Sequence, residues 1–284
     1  MKIKMIAKLS SGMSVKEHFS ELRSRILRIA IIIIIFIIFC ITFGISLYSI
    51  KIDSFYTTDN VITFPIIYPD PFNNIAIQTT TFMKLMLLPP GVDLIQTAPG
   101  QAFVAQIYVA SLIGITSSIP LIIKEFYEFL SPALEEKEKK KNKLLKIFIP
   151  TVGLFASGIV FSFLIVIPFT LDFLYKYGEA IGVETFLNIN DFISFVLQFL
   201  LGFGIAFQLP VIMYIISLSE IVDNDFWKKN LRYAIIIFII FGAVITPDGS
   251  GVTMWFISAP MILLYISGIF VVRIKSRKNY YKKT

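Results

Sequence analysis

Residues 14–39 read SVKEHFSELRSRILRIAIIIIIFIIF. A charged stretch, Ser14 to Leu27, leads within three residues into one of the most apolar runs of the chain. Ser14 and Glu17 have the S-x-x-E spacing of a capping box, which predicts a helix start. On that helix Val15, Phe19, Leu22 and Ile26 share one stripe, and Glu21 stands four residues before Arg25, a favourable pairing. The stretch therefore reads as an amphipathic helix that continues into a membrane span. Arginines at such a doorstep are ordinary anchors. Carboxylates are not, because Glu17 and Glu21 weaken attraction to anionic lipid. Glu21 either serves only Arg25 or faces something cationic, and the residues leave both open.

The rest of the chain has the composition of a polytopic membrane protein. Of its 284 residues, 56% are hydrophobic and only 16% charged, against about a quarter charged in a soluble domain. The net charge of +7 then reports basic loops beside anionic lipid and need not imply nucleic acid. Cys40 is the only cysteine and lies in an apolar run, which excludes an intrachain disulfide and reads as a small lipid- or core-facing hydrophobe. The first apolar run lacks a small-residue cleavage site and is expected to stay as a span.

Six spans are expected, at 26–50, 103–123, 147–171, 192–218, 233–246 and 252–272, in a single membrane domain covering 1–284. The fifth is short, at about 14 residues, and "TPDGSG" (246–251) makes a tight turn between it and the sixth. Twenty-three of the 26 Lys and Arg fall in the N-terminal segment, the segments after spans two and four, and the C-terminal tail. That bias places both termini in the cytoplasm. Residues 51–102 form a long extracytoplasmic loop with "FPIIYPDPF" and "LLPPGVDLIQTAPG", expected to lie on the membrane as an apolar cap. Pro120, Pro150, Pro168, Pro210 and Pro260 fall in or beside spans and are expected to kink them into a cup-like, all-α bundle.

A second charged stretch, "KEFYEFLSPALEEKEKKKNK", begins at Lys124. Ser131 and Pro132 read as N-cap and first position of a new helix. Its carboxylates mixed with lysines fit a solvated helix. Taken with Glu21, they also fit a site for a cationic, partly apolar peptide. Gln208 is the main polar residue inside span four, either a helix–helix hydrogen bond or a functional group. Asp248 in "PDG" reads first as a turn residue. There is one His and no Cys pair, so no catalytic, metal or cofactor site is expected, and no phosphate loop or serine elbow is present.

With those residues in view, the chain resembles the TatC family, the multispanning subunit of the twin-arginine protein translocase. "EHFSELRSRIL", "IPLIIKEFYEFLSPALEEKEK", "FGIAFQLPVI" and "ITPDGSGVTMWFISAPM" resemble, in order, four family signatures spread along nearly the whole chain. The resemblance implies a receptor in the cell membrane, not an enzyme. It would bind twin-arginine signal peptides of folded precursors and support their proton-motive-force-driven export with single-span partners of the TatA/TatB type, in a larger complex holding more than one copy. By motif position it implies Glu138 and Glu21 as the carboxylates of the recognition surface, with Phe129 and Arg23 beside them. Phe19 stands where the family usually has Leu, Gln208 where it often has Glu, and the turn at Asp248 is one residue longer than in some members. A six-span solute transporter or channel is the competing reading, weakened by the lack of paired broken helices and intramembrane charge.

Overall fold

The computed structural model of the chain describes residues 15–52, 60–130, 141–218, 222, 225–246 and 251–280. Helix α1, Val15–Thr42, carries the charged stretch and the apolar run in one 28-residue element. The first span does not continue to residue 50 as expected. The chain turns directly into strand β1, Phe43–Ile52, which pairs antiparallel with β2, Asn60–Pro69. Gly44 is one reason the switch falls here: a Cβ at that position would sit 2.2 Å from the Asn73 carbonyl oxygen, so only glycine allows this approach. Pro65 and Pro69 lie in β2 opposite Leu47 and Phe43, and they blunt the hairpin against further strand pairing.

The stretch expected to be a loop over 51–102 thus holds the hairpin's second strand, helix α2 (Ile75–Leu87) and a short strand β3 (Asp93–Ile95). Asn74 caps α2, accepting from the Ile77 N–H at 2.9 Å, and is fully buried. Helix α3, Gln101–Leu130, follows and lies along α1. Gly114 makes their close contact possible, since a Cβ there would be 3.2 Å from the Ile33 carbonyl oxygen.

Helix α4, Lys141–Phe161, passes through a π-helical segment, Ser162–Val166, into α5, Ile167–Ala180. The wide turn falls just before Pro168, whose ring would clash with the carbonyl four residues back in a regular helix. Strand β4, Phe186–Asn188, pairs parallel with β3. Helix α6, Ile189–Ala206, is the centre of the bundle: Phe192, Ile193, Val196, Phe199, Leu200 and Phe203 are all buried. It stops at Phe207–Gln208 and restarts as α7, Leu209–Leu218, because Pro210 cannot donate to a carbonyl in the preceding turn. A short α8, Phe226–Lys229, then α9, Leu231–Ile245, and α10, Gly251–Tyr280, complete the chain.

Among the described residues, five helical stretches are long and apolar enough to cross a membrane: Phe19–Thr42, Gln101–Glu125, Phe148–Ala180, Ile189–Ser217 and Gly251–Ile274. Helix α9 is also apolar, but its 15 residues rise only about 22 Å against a hydrocarbon core of about 30 Å. The result is an all-α, multi-pass membrane fold with one π-helical interruption, one broken helix and a β-hairpin added. The caps predicted at Ser14 and Ser131 lie outside the described residues.

Candidate functional site

The charged ends of α1 and α3 meet. Glu21, Arg25 and Arg28 lie at i, i+4 and i+7 on α1 and so share one face. Glu125 reaches them from the far end of α3 and is 2% exposed. Its carboxylate takes one guanidinium on each oxygen: Arg28 Nη1 donates to Oε1 at 2.6 Å and Arg25 Nη1 to Oε2 at 2.6 Å. Arg25 also donates to the Glu125 backbone carbonyl at 3.4 Å. On its other edge Arg25 donates to Glu21 Oε1 from Nη2 at 2.7 Å and from Nε at 3.1 Å. Among the described residues, two carboxylates and two guanidiniums thus meet in one network, their formal charges balanced. The planar guanidinium suits this bridging role, since it presents donors along two edges.

The four groups are not equally covered. The side chains of Glu125 and Arg25 are 2% and 17% exposed, those of Glu21 and Arg28 29% and 57%. A buried carboxylate is tolerated only when paired and fully hydrogen-bonded, and Glu125 meets that condition. Glu21 keeps its second oxygen, Oε2, without a hydrogen bond among the described residues. The arrangement can therefore accept a further cationic donor at Glu21 while Glu125 is saturated.

The structure places the residues expected from the sequence as follows. Glu21 is in the network. Arg23 is exposed on α1 and outside it. Phe129 lies on α3 one helical turn beyond Glu125; its side chain is outside what is described. Glu138 and Asp248 lie outside the described residues. Gln208 belongs to a different place, the break between α6 and α7. There its Nε2 donates to the Thr151 carbonyl on α4 at 3.2 Å and to the Gly204 carbonyl at 3.5 Å. Its Oε1 is buried without a hydrogen-bond partner among the described residues. Of the expected residues, only Glu21 is thus seen in the network, and Gln208 is not part of it.

Glu125 and Arg28 are the participants that sequence reasoning missed. Glu125 stood beside Lys124 in a stretch read as solvated. The available signal was its position: it ends a span whose one other charge is its neighbour Lys124, and it shares a seven-residue spacing with buried Ser118 on α3. Among the described residues, no three His, Cys, Asp or Glu come together as metal ligands.

Comparison with known proteins agrees with this architecture. The family described as Sec-independent protein translocase protein (TatC) matches residues 17–260. The chain is 48% identical over 269 residues to the Sec-independent protein translocase protein TatC of Cenarchaeum symbiosum (strain A), spanning 95% of this chain and 98% of that protein. It is 32% identical over 213 residues to the protein of the same name from Carboxydothermus hydrogenoformans, spanning 75% and 84% respectively. The crystal structure of the twin arginine translocase receptor TatC superposes with a TM-score of 0.72 at 25% identity, over 92% of this chain and all of that one.

The helical bundle and these matches define a multi-pass membrane component of a protein translocase, a class without enzymatic activity. The chain belongs to the TatC family of the twin-arginine translocase.

Proposed function

We propose that this chain is the receptor subunit that binds twin-arginine signal peptides of folded precursors at its cytoplasmic face and supports their export, driven by the proton-motive force. The observation that carries the reading is the half-covered carboxylate of Glu21 at the charged end of α1, with one oxygen that accepts no hydrogen bond among the described residues. An arginine pair wants fixed carboxylates, and charge-assisted guanidinium contacts are the strong ones. Glu21 and Glu138 are the carboxylates of the recognition surface, Phe129 lends an apolar contact beside them, and Arg23 completes the motif. The basic segments put both termini in the cytoplasm. A single membrane domain with six spans makes up the subunit. It works with single-span partners of the TatA/TatB type in a complex containing further copies of itself. Gln208, at the break between α6 and α7, is the contact to a partner helix. Asp248 shapes the turn between the last two spans.

Photo-crosslinking tests the reading. The full chain in native membranes is exposed to a precursor with an intact arginine pair and to one with both arginines changed to lysine. Strong labelling by the first and weak labelling by the second is expected. Equal labelling by both would remove the receptor assignment.

A further inference from the structure

Arg25 joins two carboxylates of opposite burial, and its contacts are divided unevenly. Glu125 uses both oxygens, one on Arg25 and one on Arg28. Among the described residues Glu21 uses only Oε1, which receives two donors from Arg25. The chain therefore carries an arginine pair of its own, Arg25 and Arg28, at the place where a peptide's arginine pair would arrive. Something must keep that internal pair from neutralising Glu21 completely.

We propose that Glu125 is a positioning residue that holds Arg28 and the Nη1 edge of Arg25 away from Glu21, so that the outer oxygen of Glu21 stays available to a guanidinium of the bound peptide. The inference rests on the receptor reading above and adds a residue that reading does not contain. The geometry gives three reasons. Glu125 comes from a different helix, so it draws both guanidiniums toward the α1–α3 seam and away from the exposed side of α1. Its 2% exposure leaves water little access to compete for these contacts. Arg28 lies seven residues beyond Glu21 on the same face, so without Glu125 the carboxylate within reach of both guanidiniums among the described side chains of that face is Glu21. Peptide binding then means joining a site that already holds arginine, with Glu21 shared between an internal and an incoming guanidinium.

The test measures precursor binding to the full chain in native membranes, again with an intact arginine pair. Glu125→Gln is expected to lower labelling about tenfold, because Arg25 then turns its freed donors on Glu21. Adding Arg25→Gln to that variant is expected to restore labelling, since the masking guanidinium is gone. A residue that merely holds the two helices together would not be rescued this way. Glu125→Asp keeps the charge and should bind better than Glu125→Gln. Wild-type labelling by Glu125→Gln would overturn the proposal, and so would a double variant as poor as the single one. If Glu125→Gln fails to accumulate in the membrane, Arg25→Gln alone decides: a rise in labelling supports the proposal, and a loss as deep as that of Glu21→Ala overturns it. Full labelling by Glu21→Ala would instead remove the receptor reading itself, whatever the Glu125 variants do.

Discussion

The two ends of α1 are joined to the rest of the molecule by different chemistry. At the charged end, α1 meets α3 through four ionised groups around one buried carboxylate. At the hairpin end the joints are neutral. Gln78 on α2 donates to the Ile45 carbonyl of β1 at 2.9 Å and to the Asn73 carbonyl at 3.1 Å. Asn74 donates to the Pro71 carbonyl at 2.9 Å, and Asn188 reaches Thr97 at 2.7 Å and Gln101 at 3.1 Å. Amide hydrogen bonds fix shape without leaving a field. Ion pairs fix shape and also leave an uneven charge surface. The contrast is one of joints: ionic where α1 meets α3, neutral at the hairpin.

Mutations can break this contrast. The largest effect is expected from Glu125→Ala, which leaves two guanidiniums facing each other at the α1–α3 seam. The melting temperature of the purified protein in detergent should fall more than for any single change at the hairpin end. A fall no deeper than that of Asn74→Ala would mean the ionic joint is no stronger than the neutral one. Asn74→Ala comes next: it removes a helix cap and leaves the Pro71 carbonyl without its donor, at a cost of about 1–2 kcal/mol by denaturant titration. The smallest effect belongs to an exposed pair that serves as control. Lys176 and Asp172 stand 2.7 Å apart on α5 with side chains 66% and 48% exposed. Asp172→Asn should leave stability unchanged, and 1 M salt should erase any difference, because the screening length there is only about 3 Å. A salt-resistant loss in Asp172→Asn would mean that burial is not what separates strong from weak pairs here.

The sequence made the helical bundle legible because the spans other than the short α9 are long and apolar, and bounded by charge or turn residues. The β-hairpin was not legible. Phe43–Ile52 continues the apolar run of α1, and a short apolar stretch carries no period that tells strand from helix. Its strand identity comes from pairing with residues 60–69 and from the approach that Gly44 allows, both of which lie outside local pattern. The site divided in the same way. Glu21 could be found because its motif is local and its partner Arg25 is one helical turn away. Glu125 could not, since its partners are about a hundred residues distant and only the packing of α3 on α1 brings them together. The break at Gln208 was signalled by Pro210, whereas the Thr151 carbonyl it contacts was not.

The π-helical turn at Ser162–Val166 gives the third long span a property of its own. One extra residue in a helix rotates everything after it by about 100°. The span is therefore two half-spans geared to different neighbours. Before the turn, α4 carries Phe155 and Phe161 against α6, with the Phe161 and Phe203 rings 5.8 Å apart. Within and after the turn, Phe163 stacks on Phe82 of α2 with ring centroids 5.7 Å apart, and Val166, Ile167 and Leu171 turn into the core. Removing a single residue from this turn would change the azimuth of the far half. Leu171 would swing toward lipid and the contact with α2 would be lost, while every residue of the near half kept its place.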